Sequence, residues 1–462
     1  MINLDNIENL KKYKHIHLIG IGGVSMSGIA EILHHFGIFV TGSDCSKSKI
    51  TDRLSSHGIF VSIGHSTSLV EKADLVIYSA AINPDDPELV CAKNKHIVTI
   101  ERADFIGFLT RIYTETIAIS GTHGKTTTTS MISLCFIEAN MDPNIQVGAY
   151  LKQINGNHRV GNSDYFILEA CEYVESFLKF NPKSSIVLNI DNDHLDYFKT
   201  FDNIKKSFNK YVSLLPRDGI LVVNGDDKNC LELRKNTYAK IITFGIENEK
   251  SNFVARNISF DDNGFSKFDV YYNNTYFSEI KLSVPGTHNI YNALACIAMC
   301  FNYGIDKYII KSSLKKFTGA SRRFELVGSY NNISVYDDYA HHPNEILATS
   351  KAIQKKKCRQ SWVIFQPHTY SRTKEHLDDF AKALLDFNNI IITDIYAARE
   401  KNTYNISSKD LINKIESLGK KAIYIQDFDE IATYIKERAC PNDIVLTMGA
   451  GTIVEVSKKI LL

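Results

Sequence analysis

A glycine-bounded turn, a lysine and four threonines lie between an apolar strand and a helix in the segment "TIAISGTHGKTTTTSM". Gly121 and Gly124 let backbone N–H groups face inward on a tight turn, and the helix dipole adds to their attraction for phosphate. Lys125 is placed to reach β- and γ-phosphates, and Thr126 offers a hydroxyl to Mg²⁺. Ile119 stands where the longer phosphate-binding loop has another glycine, so this is a shortened form. The spacing predicts a bound nucleoside triphosphate rather than a tight turn with an incidental lysine.

A second glycine loop, "GIGGVSMSG", follows an apolar strand near the start of the chain. It contains Gly20, Gly22 and Gly23, but Ser25 stands where a dinucleotide-binding loop has a third glycine or alanine. Asp44 follows about twenty residues later, where an acid meets a ribose hydroxyl. The pattern predicts a diphosphate at a helix N-terminus. By itself it leaves open NAD, another diphosphate, or a turn that only packs helix on strand.

Acidic side chains stand at the ends of two further apolar strands. Glu169 and Glu172 end "YFILEACE", at the edge of the sheet where α/β proteins bind ligands. Either carboxylate suits Mg²⁺, and either alone is equally consistent with an ordinary acid in the first turn of a helix. A second candidate metal-facing cluster follows the strand "SSIVLNI" and comprises Asp191, Asp193, His194 and Asp196.

Polar side chains also recur in the second half of the chain. His288 and Asn292 lie four residues apart on one helix face, so both are able to contact one ligand. Arg322 and Arg323 stand near a predicted hinge, where a guanidinium suits a phosphate clamp, although paired arginines are also typical of a solvated surface. The segment 337–345, "DDYAHHPNE", predicts polar-substrate binding rather than a zinc site, because adjacent histidines point in different directions. His368 and Arg372 end a further strand.

Composition limits the classes of protein. The 462 residues predict about three domains. Lys plus Arg (53) nearly equals Asp plus Glu (52), which argues against bulk binding to nucleic acid or an anionic membrane. No apolar run is long enough to span a membrane, and the first fifteen residues lack the apolar core of a signal peptide. The nine cysteines form no CxxC pair, which predicts reduced thiols in the cytoplasm, no disulfide framework and no zinc-type spacing.

The elements that must position these residues alternate between strand and helix. The strands are apolar throughout, as in a parallel sheet covered on both faces. The segment 250–285 instead alternates apolar and polar residues, which predicts a small antiparallel excursion, and "NIYNALACIAMCFNYG" predicts a helix that ends at Gly304. We therefore predict three consecutive α/β domains, at residues 1–107, 108–321 and 322–462.

Seven motifs together resemble the Mur ligase family over nearly the whole chain. They occur in the family's order, as "GIGGVSMSGIAE", "GTHGKTTTT", "DNDHLD", "GTHNIYNALA", "GASRRFE", "DDYAHHP" and "FQPHTYSR". The resemblance implies a Rossmann-like UDP-binding domain, a central P-loop ATPase-like domain with a parallel sheet, and a Rossmann-like C-terminal domain. It also implies an ATP-dependent amide ligase of peptidoglycan synthesis, which forms an acyl phosphate that an amine attacks. Such chemistry depends on positioning and charge neutralisation.

The resemblance assigns roles residue by residue. Lys125, Glu172, His194 and Arg323 take catalytic roles, and Thr126, Glu172 and His194 hold Mg²⁺. ATP is bound by Gly121, Thr122, His123, Gly124, Lys125, Thr126, Thr127, His288, Asn292, Arg322, Arg323 and Asp338, of which Asp338 holds the ribose. The UDP-sugar and the amino acid are bound by Gly20, Gly22, Gly23, Ser25, Asp44, His65, Ser79, Tyr339, His341, His368 and Arg372. The first glycine loop is thereby assigned to UDP rather than NAD.

Within the family, "FQPHTYSR" and "GGVSMSG" favour the activity that joins L-alanine to UDP-N-acetylmuramate. The alternatives are a murein tripeptide ligase of cell-wall recycling and a catalytically inactive, nucleotide-gated binding protein. Cys171, Tyr173 and Thr369 depart from the family pattern. We expect Arg322 or Arg323 to reach the γ-phosphate when the last domain closes; the oligomeric state stays open.

Overall fold

The computed structural model describes residues 6–398 and 400–462, with the side chain of Asp196 left aside. The chain forms two compact units. The first contains the residues up to Val254 together with Leu294–Ser313, and the second contains Ala255–Ala293 and Leu314–Leu462. Among the described residues, no helix combines the length and apolarity needed to cross a lipid bilayer.

A five-stranded parallel sheet opens the first unit, in the order β3-β2-β1-β4-β5. The strand order reverses at β1, so the glycine loop that follows β1 lies where open α/β sheets bind ligands. The strands are β1 (His15–Ile19), β2 (Phe39–Asp44), β3 (Phe60–Ile63), β4 (Leu75–Tyr78) and β5 (Val98–Glu101). The helices are α1 (Ile7–Leu10), α2 (Val24–His35), α3 (Lys49–Ser56), α4 (Thr67–Val70), α5 (Pro87–Asn94) and α6 (Arg102–Ile112).

The second sheet of the first unit has the order β12-β11-β10-β6-β9-β7-β8 and is parallel except for the β7–β8 pair. Its order also reverses at β6, which precedes the phosphate-type loop. The strands are β6 (Glu115–Ser120), β7 (Asn144–Leu151), β8 (Gly156–Arg159), β9 (Tyr165–Glu169), β10 (Ser184–Val187), β11 (Ile220–Asn224) and β12 (Lys240–Gly245). The helices are α7 (Lys125–Glu138), α8 (Leu195–Phe198), α9 (Phe201–Ser213) and α10 (Lys228–Glu232).

The polar start of α7 is compatible with burial because its hydroxyl groups are satisfied within the helix. Thr129 donates to the Lys125 carbonyl at 2.8 Å, and Ser130 donates to the Thr126 carbonyl at 2.8 Å. These bonds to the preceding turn remove the cost of burying hydroxyl groups. The run of threonines therefore continues the loop directly into a buried helix.

Three strands, β13 (Phe253–Phe260), β14 (Phe265–Tyr272) and β15 (Thr275–Pro285), follow β12. The antiparallel β14–β15 pair confirms the predicted excursion. The next two helices are α11 (Thr287–Asn302) and α12 (Lys307–Lys316). The predicted end of α11 is confirmed by Gly304, whose positive φ of 76° turns the chain out of the helix.

The last sheet, in the second unit, has the order β16-β17-β21-β18-β19-β20, with β16 antiparallel to β17 and the other pairs parallel. Two of its helices, α14 and α15, are separated only by His376. The strands are β16 (Glu325–Tyr330), β17 (Ile333–Asp338), β18 (Ser361–Phe365), β19 (Asn389–Ile392), β20 (Ala422–Tyr424) and β21 (Ile444–Met448). The helices are α13 (Pro343–Gln354), α14 (Tyr370–Glu375), α15 (Leu377–Leu384), α16 (Ser408–Ser417), α17 (Phe428–Arg438) and α18 (Val454–Leu461).

The mixed α/β class with parallel sheets is confirmed. The predicted domain boundaries after residues 107 and 321 stay predictions, and α6 runs without interruption through residue 107.

Candidate active site

The loop between β6 and α7 has the backbone shape of an anion-binding turn. Gly124 precedes the helix with φ of 86°, and no side chain caps the first turn, so its N–H groups face the loop. Gly121 has φ of 126°, and a Cβ there would lie 3.0 Å from the Leu188 nitrogen. Only glycine combines that backbone conformation with so close an approach to the segment after β10.

Asn189, at the end of β10, holds this loop in shape. Its Oδ1 accepts from the His123 N–H at 2.8 Å, its Nδ2 donates to the His123 carbonyl at 3.0 Å, and its carbonyl accepts from the Thr122 N–H at 3.1 Å. The Asp191 N–H donates to Thr122 Oγ1 at 2.9 Å. Asn189 was not predicted as a site residue, although it lies near the end of the predicted strand "SSIVLNI".

Lys125 lies over the loop and is paired with an acid. Its Nζ donates to the Gly121 carbonyl at 2.5 Å and the Thr122 carbonyl at 3.1 Å, and it lies 3.0 Å from Glu172 Oε2. Burial acts to lower the pKa of Lys125, but the charge and hydrogen bond of Glu172, together with nearby Cys171 and Glu169, outweigh burial, and the pKa is raised. The ammonium group is therefore cationic and positioned at the loop, as phosphate binding requires.

The structure distinguishes the two acids that end β9. Thr126 Oγ1 donates to Glu169 Oε2 at 3.1 Å, and the Gly148 N–H donates to Glu169 Oε1. Glu172, the residue predicted to hold metal, instead pairs with Lys125 and is buried. The Thr126 hydroxyl and the Glu169 carboxylate are adjacent hard oxygen donors, the kind that Mg²⁺ prefers.

His194 lies in the loop that begins α8, with a positive φ of 58°. Its ring packs on Tyr173 with centroids 4.6 Å apart, and its Nε2 lies 3.7 Å from Asp193 Oδ2. Tyr173, one of the departures from the family pattern, therefore orients the predicted second metal ligand. The side chain of Asp196, grouped with His194 by sequence, lies outside the described residues.

The first glycine loop is closed by Asp44. The Gly22 N–H donates to Asp44 Oδ2 at 2.9 Å, and a Cβ on Gly22 would lie 2.8 Å from that oxygen. Asp44 thus stabilises the loop through the Gly22 N–H, while its contact with a ribose hydroxyl stays a prediction. Two other residues predicted to bind substrate also lie in this part of the chain: His65 lies 3.5 Å from Asp86, and the Ser79 hydroxyl accepts from the Ala81 N–H.

A cavity of about 150 Å³ brings parts of the two glycine-loop regions together within the first unit. The Arg102 guanidinium donates to Ser25 Oγ at 3.3 Å, and the Gln146 amide also donates to Ser25. Gln146 Oε1 is buried and has no hydrogen-bond partner among the described residues. Arg102 and Gln146 were missed by the sequence analysis. The cavity is lined by Val24, Ser25, Arg102, Ala103, Ile106, Gln146, Val147, Gly148, Glu169, Cys171, Ser176 and Phe180.

In the second unit, the two predicted phosphate-clamp arginines differ in their surroundings. The Arg322 guanidinium donates to Asp337 Oδ2 at 2.8 Å and to the carbonyls of Gly449 and Gly451 at 2.7 and 3.2 Å. The Arg323 guanidinium lies 4.0 Å from Glu345 Oε1 and 5.3 Å from the centroid of the Tyr339 ring. Arg322 is therefore held by hydrogen bonds within the second unit, and the role of either arginine on the γ-phosphate stays a prediction.

The predicted substrate residues of the second unit lie together at the carboxyl ends of β17 and β18. The rings of Tyr339 and His341 have centroids 5.4 Å apart, and those of His341 and His368 are 5.6 Å apart. Arg372 Nη1 lies 3.4 Å from His368 Nδ1. Burial, followed by the nearby His341 and Arg372, lowers the pKa of His368 to about 4, so its imidazole is neutral at pH 7.

Asp338, the predicted ribose residue, is buried at the end of β17. Its carboxylate accepts from the Thr349 hydroxyl at 2.6 Å and from the Ala340 N–H at 3.1 Å. Burial raises its pKa to about 6. His288, the predicted adenine contact, lines a cavity of about 250 Å³ with Thr287, Asn344, Leu347, Ala348 and Lys351. Asn292, its predicted partner, donates to Asn289 Oδ1 at 2.9 Å.

Family models match three consecutive segments. They are described as Mur ligase family, catalytic domain (residues 15–114), Mur ligase middle domain (119–300) and Mur ligase, glutamate ligase domain (322–451). A UDP-N-acetylmuramate–L-alanine ligase of Acetivibrio thermocellus is 50% identical over 97% of this chain and 96% of its own. The ligase of the same name from Caldanaerobacter subterraneus is 49% identical over 98% of both chains.

Solved structures agree with the sequence comparisons. The crystal structure of a UDP-N-acetylmuramate–alanine ligase from Thermotoga maritima matches with a TM-score of 0.83 and 29% identity, over 97% of this chain and 98% of that one. A murein peptide ligase from Psychrobacter arcticus, at 24% identity and a TM-score of 0.72 over 97% and 98% of the two chains, shows the same fold. The predicted three-domain α/β architecture is confirmed, and the chain belongs to the Mur ligase family.

Proposed function

We propose that this protein joins L-alanine to the lactyl carboxylate of UDP-N-acetylmuramate, converting ATP to ADP and phosphate through an acyl-phosphate intermediate. The observation that carries the proposal is the 50% identity, over 97% of the chain, with a ligase of that name. The assembled Lys125, Thr126 and Glu169 support an active enzyme rather than an inactive nucleotide-binding protein.

The loop residues bind and activate the triphosphate. Backbone N–H groups at the start of α7 hold phosphate oxygens, and the Lys125 ammonium neutralises the charge that develops as the γ-phosphoryl group moves. Glu172 keeps that ammonium aimed at the loop, because the two groups are only 3.0 Å apart. Without the negative charge of the buried Glu172, the Lys125 ammonium would no longer be held at this position.

Thr126 and Glu169 would hold Mg²⁺, and His194 is retained as the candidate for a second ion. Bound magnesium supplies charge neutralisation for the phosphoryl oxygens. The assignment is tested by the Mg²⁺ dependence of turnover. Glu169→Gln is expected to raise the Mg²⁺ concentration needed for half-maximal rate, whereas Glu172→Gln is expected to lower kcat with little change in that concentration. The reverse pattern would return the metal role to Glu172.

The cavity shared by Ser25 and Glu169 would place the acceptor beside the phosphoryl donor. The first glycine loop would hold the UDP diphosphate, while Arg102 would orient the lactyl carboxylate by charge-assisted hydrogen bonds. The buried Gln146 Oε1 would accept from an N–H or O–H group of the sugar. This arrangement directs a carboxylate oxygen at the γ-phosphorus without covalent participation by the protein.

Residues of the second unit would bind the remaining groups. Arg372 would pair with the carboxylate of L-alanine. His368 beside it is neutral at pH 7, so it would add no second positive charge to this pair. Asp338 would accept from the ribose of ATP, His288 and Asn292 would contact adenine, and Arg323 would contact the γ-phosphate. The alanine amine then attacks the acyl-phosphate carbon, and phosphate leaves.

A phosphate-release assay tests the reaction. UDP-N-acetylmuramate, ATP and Mg²⁺ are held constant while L-alanine, glycine, L-serine and the tripeptide L-Ala-D-Glu-meso-diaminopimelate are supplied in turn, with Lys125→Ala as the inactive control. Release that is fastest with L-alanine and requires the UDP-sugar is expected. Turnover with the tripeptide alone would assign the recycling ligase. Phosphate release that requires neither the UDP-sugar nor an amine substrate would contradict a ligase.

We also propose a cytoplasmic location, which the nine free thiols support.

A further inference from the structure

Three cysteines on two helices that are far apart in the sequence meet in the core of the first unit. Cys135 lies on α7, and Cys296 and Cys300 lie one turn apart on α11. The Cys135 and Cys296 sulfurs are 3.7 Å apart, the Cys296 and Cys300 sulfurs are 3.8 Å apart, and all three lie within 4.8 Å of one another. All three side chains are fully buried. The centre of such a triangle lies about 2.3 Å from each sulfur, the length of a bond from sulfur to a soft metal.

Complete burial makes a net charge on this thiol cluster (Cys135, Cys296 and Cys300) costly. The residues of α11 from Ala293 to Cys300 are fully buried, and the charged group that acts on Cys135 is the acid Glu138. Hydrogen bonds from the two neighbouring thiols and from the hydroxyl of Ser313, a buried residue of α12, lower the pKa of Cys135. Backbone N–H groups inside helices are already bonded to carbonyls, so they cannot stabilise buried thiolates.

We propose that the thiol cluster is a tris-thiolate binding site for a trivalent thiophilic ion of the arsenite class. Arsenous acid and three thiols give a neutral arsenic tris-thiolate and three waters. Three As–O bonds break, three As–S bonds form, each thiol proton leaves with a hydroxide as water, and arsenic stays at +3. No oxidant or reductant is needed.

Charge selects the ion. Three thiolates with a divalent or monovalent metal leave a net negative complex, which is costly to bury beside an acid. Three thiolates with a trivalent ion leave a neutral one. A disulfide between Cys296 and Cys300 is disfavoured, because residues four apart on a helix have Cβ atoms about 5–6 Å apart, beyond disulfide geometry.

The test uses the full-length chain, reduced with a phosphine, incubated with sodium arsenite and washed with glutathione to remove arsenic held by one thiol. We expect about one arsenic per chain by elemental mass spectrometry. X-ray absorption should show three sulfur neighbours for each arsenic and no oxygen. Cys230→Ala is the matched control, because Cys230 is also a fully buried cysteine but lies outside the cluster. It should retain arsenic as the wild type does.

Cys300→Ala is expected to retain at least about tenfold less arsenic than Cys230→Ala. Equal retention by these two variants, two sulfur neighbours or an oxygen neighbour in the wild type, or no retention at all would each overturn the proposal. Tighter retention of zinc than of arsenite at the cluster would overturn the charge argument. The sulfur count is measured on the wild type, so it decides the question even if Cys300→Ala fails to fold.

Discussion

Replacing each of the two adjacent arginines by alanine should separate stability from catalysis. Arg322 ties the end of β17 to the loop after β21, through Asp337 and the carbonyls of Gly449 and Gly451. Arg323 lies next to it in the chain, 4.0 Å from Glu345 Oε1 and 5.3 Å from the centroid of the Tyr339 ring. We expect Arg322→Ala to destabilise the second unit by more than Arg323→Ala does, because Arg322 pairs with a fully buried carboxylate. We expect Arg323→Ala to lower turnover.

The magnitude follows from what Arg322→Ala leaves behind. The Asp337 side chain is 0% exposed, and without the guanidinium its remaining side-chain partner is Thr447, at 2.7 Å. Removing one member of a buried ion pair costs about 3–5 kcal/mol. The Arg322 side chain is 23% exposed, so water reaches part of the site and about 3 kcal/mol is the better figure. For a domain of this size the melting temperature should fall by about 6–12 °C.

The pH dependence of the loss gives a second check. Burial raises the pKa of Asp337, and Arg322 opposes that rise. When folding raises the pKa of an acid, the free energy of unfolding falls as the pH rises above the ordinary pKa of that acid. Removing Arg322 strengthens this effect. The destabilisation by Arg322→Ala should therefore be small near pH 4 and larger at pH 7.

Calorimetry at the two pH values and the phosphate-release assay measure these effects together. Arg323→Ala should lower kcat at least about 100-fold, as the loss of one preorganised contact to the transferring phosphoryl group does. If Arg322→Ala melts like the wild type, or if its destabilisation is equal at pH 4 and pH 7, the structural assignment of Arg322 is wrong. If Arg323→Ala turns over normally, the phosphate contact lies elsewhere.

Three further changes test the site. Lys125→Ala should abolish turnover while isothermal titration still detects UDP-N-acetylmuramate binding; lost binding in a folded variant would contradict separate sites. Gly121→Ala should lose ATP binding through strain and the 3.0 Å approach to the Leu188 nitrogen, whereas Gly58→Ala, with positive φ but open space around it, should cost only about 1 kcal/mol and keep ATP binding. The stability advantage of Asp338→Asn over the wild type should grow by about 2–3 kcal/mol between pH 4 and pH 7, as measured by denaturant titration. The reason is that burial raises the pKa of Asp338 from its ordinary 3.8 to about 6, so ionising it in the folded wild type is costly. A difference independent of pH would refute this.

Local patterns were sufficient for the elements and the loops. Apolar runs between glycine turns predicted the parallel strands, and the two glycine loops were predicted to follow strands, because both signals depend on neighbouring residues. The β7–β8 pair was missed: "NIQVGAYL" and "GNHR" interrupt apolar residues with polar ones. That pair matters for function, because β7 carries Gln146 into the cavity.

The choice between Glu169 and Glu172 shows what local patterns cannot provide. Both acids end the same predicted strand, so spacing alone leaves them equivalent. The sheet gives them different surroundings: β9 lies beside β6 with Glu169 opposite Ile119, which brings the Glu169 side chain next to the loop that follows β6. That neighbour relation depends on strand order, and strand order arises from packing across the whole domain. The thiol cluster makes the same point more strongly, because Cys135 and Cys296 are separated by 161 positions and meet only where α7 and α11 pack. Residue types and spacing thus identify the groups able to do chemistry, while the order of strands and the packing of helices determine which of those groups share a site.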